Sequence, residues 1–158
     1  MKSQEKAYLA GVLDSDGSIM LQFRKRPEMR FKYRVKTTIC FYQKQKHKLI
    51  LDQLKKIIGF GYVYNRNDGM TELRIEGYQR VKTLLIWLLP YLRFKQYQAK
   101  KLLEAIRIVQ NKSFSAKDLL KVCMIADYIS NANNAPRQRK NKFSSVKKDL
   151  LNQGLISL

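Results

Sequence analysis

The chain has 158 residues, with 32 Lys or Arg against 12 Asp or Glu, and a formal charge of +20 at pH 7. A compact domain that positive repels itself until a polyanion screens it, so nucleic acid is the expected partner; an anionic membrane surface fits less well, because no amphipathic anchor is found. Hydrophobic residues make up 45% of the chain, which excludes wholesale disorder.

Ser3 is positioned to cap a first helix running to about Leu13. Apolar residues lie on several sides of it, so it is expected to be covered on more than one face. Ala7, Gly11 and Ser15 fall at i, i+4 and i+8 and form a stripe of small side chains along which another helix could approach closely. After Gly17 the period changes to two. Ile19, Leu21 and Phe23 alternate with Met20, Gln22, Arg24 and Arg26, and Pro27 and Glu28 mark a turn. In the following strand, from Arg30, the cations Arg30, Lys32, Arg34 and Lys36 fall on one side, with Phe31, Tyr33, Val35 and Ile39 on the other. A helical period returns over 44–58 and closes at Gly59 and Gly61. Strands over 62–66 and 71–77 are joined through Asn67-Asp68-Gly69, a strong turn signal. Helices follow over 79–89, ended by Pro90, and over 95–110. Ser115 with Asp118 three residues on opens another, to about Ile129. A polar, basic loop precedes a last short helix near 144–153.

The order α-ββ-α-ββ-α, with further helices to the end, predicts an α+β fold with helices on one face of an antiparallel sheet. One domain over 1–158 is expected, its core spanning about 3–130 and a C-terminal basic loop and helix filling 131–158. Two cysteines, Cys40 and Cys123, and one histidine, His47, exclude a disulfide framework and ordinary zinc patterns, and suit a reducing, intracellular setting with the compartment left open. The apolar run from Leu84 to Leu89 is too short to span a bilayer. Residues 1–6 carry no signal-peptide core.

Between Ile19 and Gln43 a single acid, Glu28, faces Arg24, Lys25, Arg26, Arg30, Lys32, Arg34 and Lys36. Solubility alone is served by mixed signs. A two-stranded ribbon fits the major groove of B-DNA, where Arg reads guanine and Gln reads adenine. RNA-binding sheets display exposed aromatics, whereas Phe23, Phe31 and Tyr33 alternate onto the inner face here, so duplex DNA is preferred.

Asp14 and Asp16 sit at the C-terminal end of the first helix, where the helix dipole opposes negative charge. That placement becomes sensible if they bind a hard divalent cation, which takes carboxylate and carbonyl oxygens and assists phosphodiester hydrolysis. Mg²⁺ is the expected ion, with Mn²⁺ or Ca²⁺ able to replace it in binding. Two copies of the helix packed along the Ala7, Gly11 and Ser15 stripe would bring two such ends side by side, from two chains.

The run Leu9 to Gly17, LAGVLDSDG, resembles the LAGLIDADG signature of the homing endonucleases. Leu9, Ala10, Gly11, Asp14, Asp16 and Gly17 match it. The resemblance spans roughly Tyr8 to Ile129 and is closest to the single-motif, dimeric members, since no second copy of the motif is present. It implies a site-specific, metal-dependent, intron-encoded DNA endonuclease whose sheet forms a curved saddle on the duplex and whose dimer covers on the order of 20 base pairs. It implies a homodimer whose motif helices meet through Ala7, Ala10, Gly11 and Asp14, assigns the metal to Asp16 and the Ser15 carbonyl, gives Asp14 a role in capping or orienting the paired helices, and matches Gln43 and Lys95 to catalytic positions beside the metal. His47 falls where a basic residue usually completes the outer shell, with Lys46 or Lys48 as substitutes. Expected DNA contacts are Gln22, Arg24, Arg26, Arg30, Lys32, Arg34, Lys36, Thr38, Tyr64, Arg66 and Arg74, with Arg137, Arg139, Lys140 and Lys142 on phosphates. No membrane and no small-molecule substrate is expected. The alternative is a non-cleaving binder on the same fold, an RNA maturase or a DNA-binding regulator.

Overall fold

A computed structural model of the chain describes residues 1–133 and 141–157. Among the described residues the order is α1 (Ser3–Asp16), β1 (Ser18–Lys25), β2 (Tyr33–Lys44), α2 (Lys48–Ile58), β3 (Tyr62–Asn65), β4 (Met70–Glu76), α3 (Tyr78–Leu88), α4 (Gln96–Val109), α5 (Ala116–Ala132) and α6 (Phe143–Asn152). The strands are ordered β1-β2-β4-β3, with β4 antiparallel to both β2 and β3. The α+β class and the α-ββ-α-ββ-α order read from the sequence are those observed. Among the described residues no helix is long and apolar enough to cross a membrane.

The described residues group into two compact units, Met1–Ile19 with Thr37–Lys100, and Met20–Lys36 with Lys101–Leu158. In the first, α1 packs on α3, and α2 and α3 pack on β4. Leu9, Leu13, Phe41, Leu73, Ile75, Leu84, Leu85 and Leu88 are fully buried there, each contributing about 1.5–3 kcal/mol of apolar transfer. In the second, α5 packs on α6, and Phe23, Phe31, Tyr33, Val35, Val122, Ala126, Val146 and Leu150 are buried. Phe23 meets Tyr33 at 6.1 Å between ring centroids, and Phe31 meets Phe114 at 5.8 Å.

Helix α1 includes Ser3 as its first residue, so Ser3 is not the cap. Lys2 takes that position: its N–H donates to the Glu5 carboxylate at 2.7 Å, and its carbonyl accepts from Lys6. The helix also runs three residues past Leu13, to Asp16. Gly17 alone links it to β1. A Cβ there would lie 2.6 Å from Leu13 Cδ1 and 2.8 Å from Leu13 Cα, and the backbone atom cannot move aside, so the sharp exit requires glycine.

β2 begins at Tyr33, three residues later than the alternation suggested. Lys32 adopts φ 56°, and the bonds Arg26 N–H to Lys32 O and Lys32 N–H to Met29 O close a turn over 26–32. Arg26, Arg30 and Lys32 therefore belong to this turn and not to strands. At its other end β2 runs on to Lys44, because its ladder with β4 continues to Lys44 opposite Met70. A single 3-10 turn, Gln45–His47, then precedes α2, which accordingly starts four residues later than its periodicity suggested.

The cap expected at Ser115 is present. Asp118 N–H donates to Ser115 Oγ at 3.2 Å, and Ser115 N–H and Oγ donate to Asp118 Oδ2 at 3.1 and 2.7 Å. These two bonds from Ser115, then Lys121, hold the Asp118 carboxyl below the usual carboxylate range. A depressed folded-state pKa stabilises fully above the unfolded value and loses its effect as pH falls through the folded one. Asp118→Ala is therefore expected to cost about 1 kcal/mol near neutral pH. Urea unfolding should show that difference shrinking in acid.

Candidate active site

The C-terminal turn of α1 is built into its surroundings through Asp14. Its carboxylate accepts from Arg93 N–H at 2.7 Å and from Lys95 N–H at 2.9 Å, and its main-chain oxygen accepts from Lys95 Nζ at 2.5 Å. Two charge-assisted bonds thus clamp the segment before α4, and the ammonium lies against the negative end of the α1 dipole. Burial lowers the Lys95 pKa, while Asp14 and Asp16 oppose that shift. Asp14 accordingly anchors Arg93 and Lys95 of its own chain to the end of α1, close enough to Asp16 for its charge to act on the Lys95 ammonium.

Asp16 and Ser15 are exposed in the last turn. Among the described residues, no cluster of three or more His, Cys, Asp or Glu side chains could hold a metal. One chain offers a single carboxylate, Asp16, beside the Ser15 carbonyl. That set is too small for an all-protein cage. It fits a hard cation that keeps several waters and takes phosphate oxygens, with one or two carboxylates as its protein share. Gln43 lies near the end of β2, half-buried and opposite Thr71, and His47 is exposed in the 3-10 turn that follows. Among the described residues no hydrogen bond or ion pair joins either of them to Asp16 or Lys95, whereas Asp14 and Lys95 are bonded to each other.

The stripe on α1 divides as its burial dictates. Leu9, Ala10 and Leu13 are fully buried, whereas Ala7, Gly11 and Ser15 are exposed. Ala10 is thereby removed from the expected interface, since it faces the core of its own unit. A Cβ built on Gly11 meets nothing within 4 Å. The glycine is not required by packing within this chain.

The expected DNA contacts separate similarly. Arg24, Arg26 and Arg34 are exposed, and Gln22 and Lys36 half-buried. Tyr64 is exposed on β3, as is Tyr62, which sequence reasoning missed. Arg30 is exposed too, and its guanidinium donates to Phe114 O at 3.3 Å and covers the Phe31 ring at 4.8 Å. Lys32 is exposed in the turn, off the strand face. Thr38 is 1% exposed and cannot meet a duplex from there; it lies opposite Glu76 at one end of the ladder between β2 and β4. Lys142 is exposed at the N-cap of α6. Arg137, Arg139 and Lys140 lie outside the described residues.

Arg66 and Arg74 share one buried acid. Glu72 accepts from Arg66 Nη1 at 2.9 Å and from Arg74 Nε at 2.5 Å, while Arg66 Nη2 reaches Asp68 at 2.5 Å. Hydrogen bonding to Glu72 raises the Arg66 pKa; burial opposes charge on Arg74, but Glu72 together with Cys40 and Tyr62 makes the net shift upward. Glu72 fixes both guanidiniums on the sheet. Its signal was its parity with Arg74, two residues away on the same face of β4.

Exposed cations on an antiparallel sheet and an exposed carboxylate at a helix end are the parts a metal-dependent nuclease uses. Comparison with known proteins makes this specific: a family model described as LAGLIDADG endonuclease matches residues 9–106, and the chain belongs to that family. It is 37% identical to the DNA endonuclease I-CvuI of Chlorella vulgaris over 123 residues, 78% of this chain and 76% of that protein. It is 31% identical to the DNA endonuclease I-CreI of Chlamydomonas reinhardtii over 140 residues, 89% of this chain and 85% of that one. Solved structures of I-CvuI align at 32% identity over 98% of both chains. One holds its own target in the presence of 2 mM Ca, with a TM-score of 0.91. The other holds the I-CreI target in the presence of 2 mM Mg, with the DNA not cleaved and a TM-score of 0.90.

Proposed function

We propose that the protein is a homing endonuclease: a homodimer that binds a long, approximately two-fold symmetric duplex site and hydrolyses one phosphodiester in each strand. The observation that carries this reading is the end of α1. Asp16 is exposed there, next to an exposed helix face of Ala7, Gly11 and Ser15, and a Cβ at Gly11 would meet nothing of its own chain. A second copy of α1 fits that face, and the two Asp16 carboxylates then serve the two strands. The setting is intracellular, in a prokaryotic cytoplasm or an organelle.

Asp16 and the Ser15 carbonyl would hold Mg²⁺, with Mn²⁺ or Ca²⁺ substituting for binding. A divalent cation held there supplies Lewis acidity to the phosphodiester and a hydrolytic nucleophile near neutral pH. Lys95, fixed by Asp14, keeps positive charge at the helix end, where negative charge grows on the phosphate during hydrolysis. Gln43 and His47 orient solvent at the rim of the site. Gln22, Arg24, Arg26, Arg34, Lys36 and Tyr64 contact the duplex, joined by Arg66 and Arg74 in the rotamers that Glu72 holds. Lys142, Arg137, Arg139 and Lys140 meet phosphates.

Incubation with a random-site duplex library and Mg²⁺, followed by sequencing of the ends, tests the reading. Paired breaks within one recurrent sequence are expected. Retention of duplex without enriched ends would support the non-cleaving regulator instead, and preferential retention of RNA the maturase. Affinity should also fall by about 10³–10⁵ between 50 and 200 mM salt if 6–10 phosphates are neutralised. A flat salt response would remove the cationic sheet from the binding surface.

A further inference from the structure

In the second unit one acid stands against the basic hairpin. Asp149, on α6, lies 116 residues beyond Tyr33, yet the Tyr33 hydroxyl donates to its Oδ2. Lys25 Nζ reaches the same oxygen at 2.8 Å. Lys25 is the last residue of β1 and Tyr33 the first of β2, so a single carboxylate joins the two strand ends that flank the 26–32 turn. Asn141 adds a bond from the same C-terminal segment, from Nδ2 to Phe23 O at 2.8 Å. The α6 N-terminus is itself held on α5, through Phe143 N–H to Asp127 at 3.0 Å.

Strand parity gives this clamp its meaning. Phe23 and Tyr33 are buried and Arg24 and Arg34 exposed, so neighbours along each strand point to opposite faces. A carboxylate that takes Lys25 and Tyr33 sets which face Arg24 and Arg34 present. It also places one negative charge inside a run of cations that would otherwise repel each other across the hairpin. Lys25 and then Tyr33 hold the Asp149 carboxyl below its usual range, and burial followed by Asp149 pushes the Tyr33 hydroxyl up. The acid is ionised and engaged whenever the protein is near neutral pH.

We propose that Asp149 is a positioning residue for DNA reading: by holding Lys25 and Tyr33 it fixes the register in which the hairpin arginines meet bases, and it keeps Lys25 off the phosphates until it is removed. The inference rests on the DNA-binding reading above and extends it to a residue outside the cleavage site.

The test uses the full chain carrying Asp149→Asn, and separately Lys25→Met, against the selected target and every single-base variant of it. Asp149→Asn is expected to cleave saturating target at the wild-type rate. Discrimination should fall about tenfold at the base pairs read by the hairpin and stay unchanged at the centre. Its binding to random duplex should become steeper in salt, by about one phosphate per chain, because Lys25 is released. In the Lys25→Met background, Asp149→Asn should leave the salt slope where it is, an outcome that general loosening of the fold would not produce. Equal loss of discrimination at every base pair, or no change in either profile or slope, overturns the proposal. A wild-type chain that binds duplex with no sequence preference overturns the functional reading beneath it.

Discussion

Asp16→Asn is expected to bind the target duplex at least as tightly as the wild type and to cut it about 10³-fold more slowly or worse. The side chain is exposed in the last turn of α1 and supports no packing, so the substitution should leave unfolding within about 0.5 kcal/mol of the parent. What changes is charge. The amide keeps the shape and loses the anionic oxygen that a hard cation prefers, and removes one negative group from beside the phosphates. Loss of a cation's polarisation of the scissile group is a loss of several kcal/mol of barrier lowering, and each 1.36 kcal/mol is about tenfold in rate. Single-turnover cleavage with excess protein, beside a mobility-shift titration, separates the two effects. Cleavage within tenfold of wild type would place the essential carboxylate elsewhere.

The second large effect is expected at Gly11, and its sign differs between folding and assembly. Gly11→Leu should stabilise the isolated chain by about 1 kcal/mol, because leucine is far the better helix former and a Cβ there meets nothing of its own chain. The same side chain would push apart two α1 helices whose axes approach along Ala7, Gly11 and Ser15, since interaxial distance follows the side chains at the contact. Sedimentation should report monomer at concentrations where the wild type is dimeric, and cleavage should fall about 100-fold or more with it, whereas Gly11→Ala should retain much of both. A stable, fully dimeric Gly11→Leu protein would show that the helices do not meet on this face.

Local patterns told most about the architecture. The alternation of Ile19, Leu21 and Phe23, the Asn67-Asp68-Gly69 turn and the Ser115/Asp118 cap each involve residues within a few positions of each other, and each is present as read. The run Leu9 to Gly17 located the α1 end and its two acids. What stayed hidden depends on distant partners or on unmarked backbone. Lys32 turns left-handed without being Gly or Asn, so the late start of β2 had no signal. Arg30 looked like a strand cation because the carbonyl that captures it belongs to Phe114, 84 residues on. Thr38 and Ala10 were misplaced because periodicity gives a face but not what covers it. Asp14 is understood only once Arg93 and Lys95 are seen against it.

The open side of α1 also sets how the activity responds to dose. A polypeptide that must meet its twin before it can act stays inert when copies are scarce, and below the dissociation constant its cutting rate climbs with the square of abundance. A gene for such a chain can be transcribed at a trickle without fragmenting the genome that hosts it, and a modest rise in expression is enough to arm it.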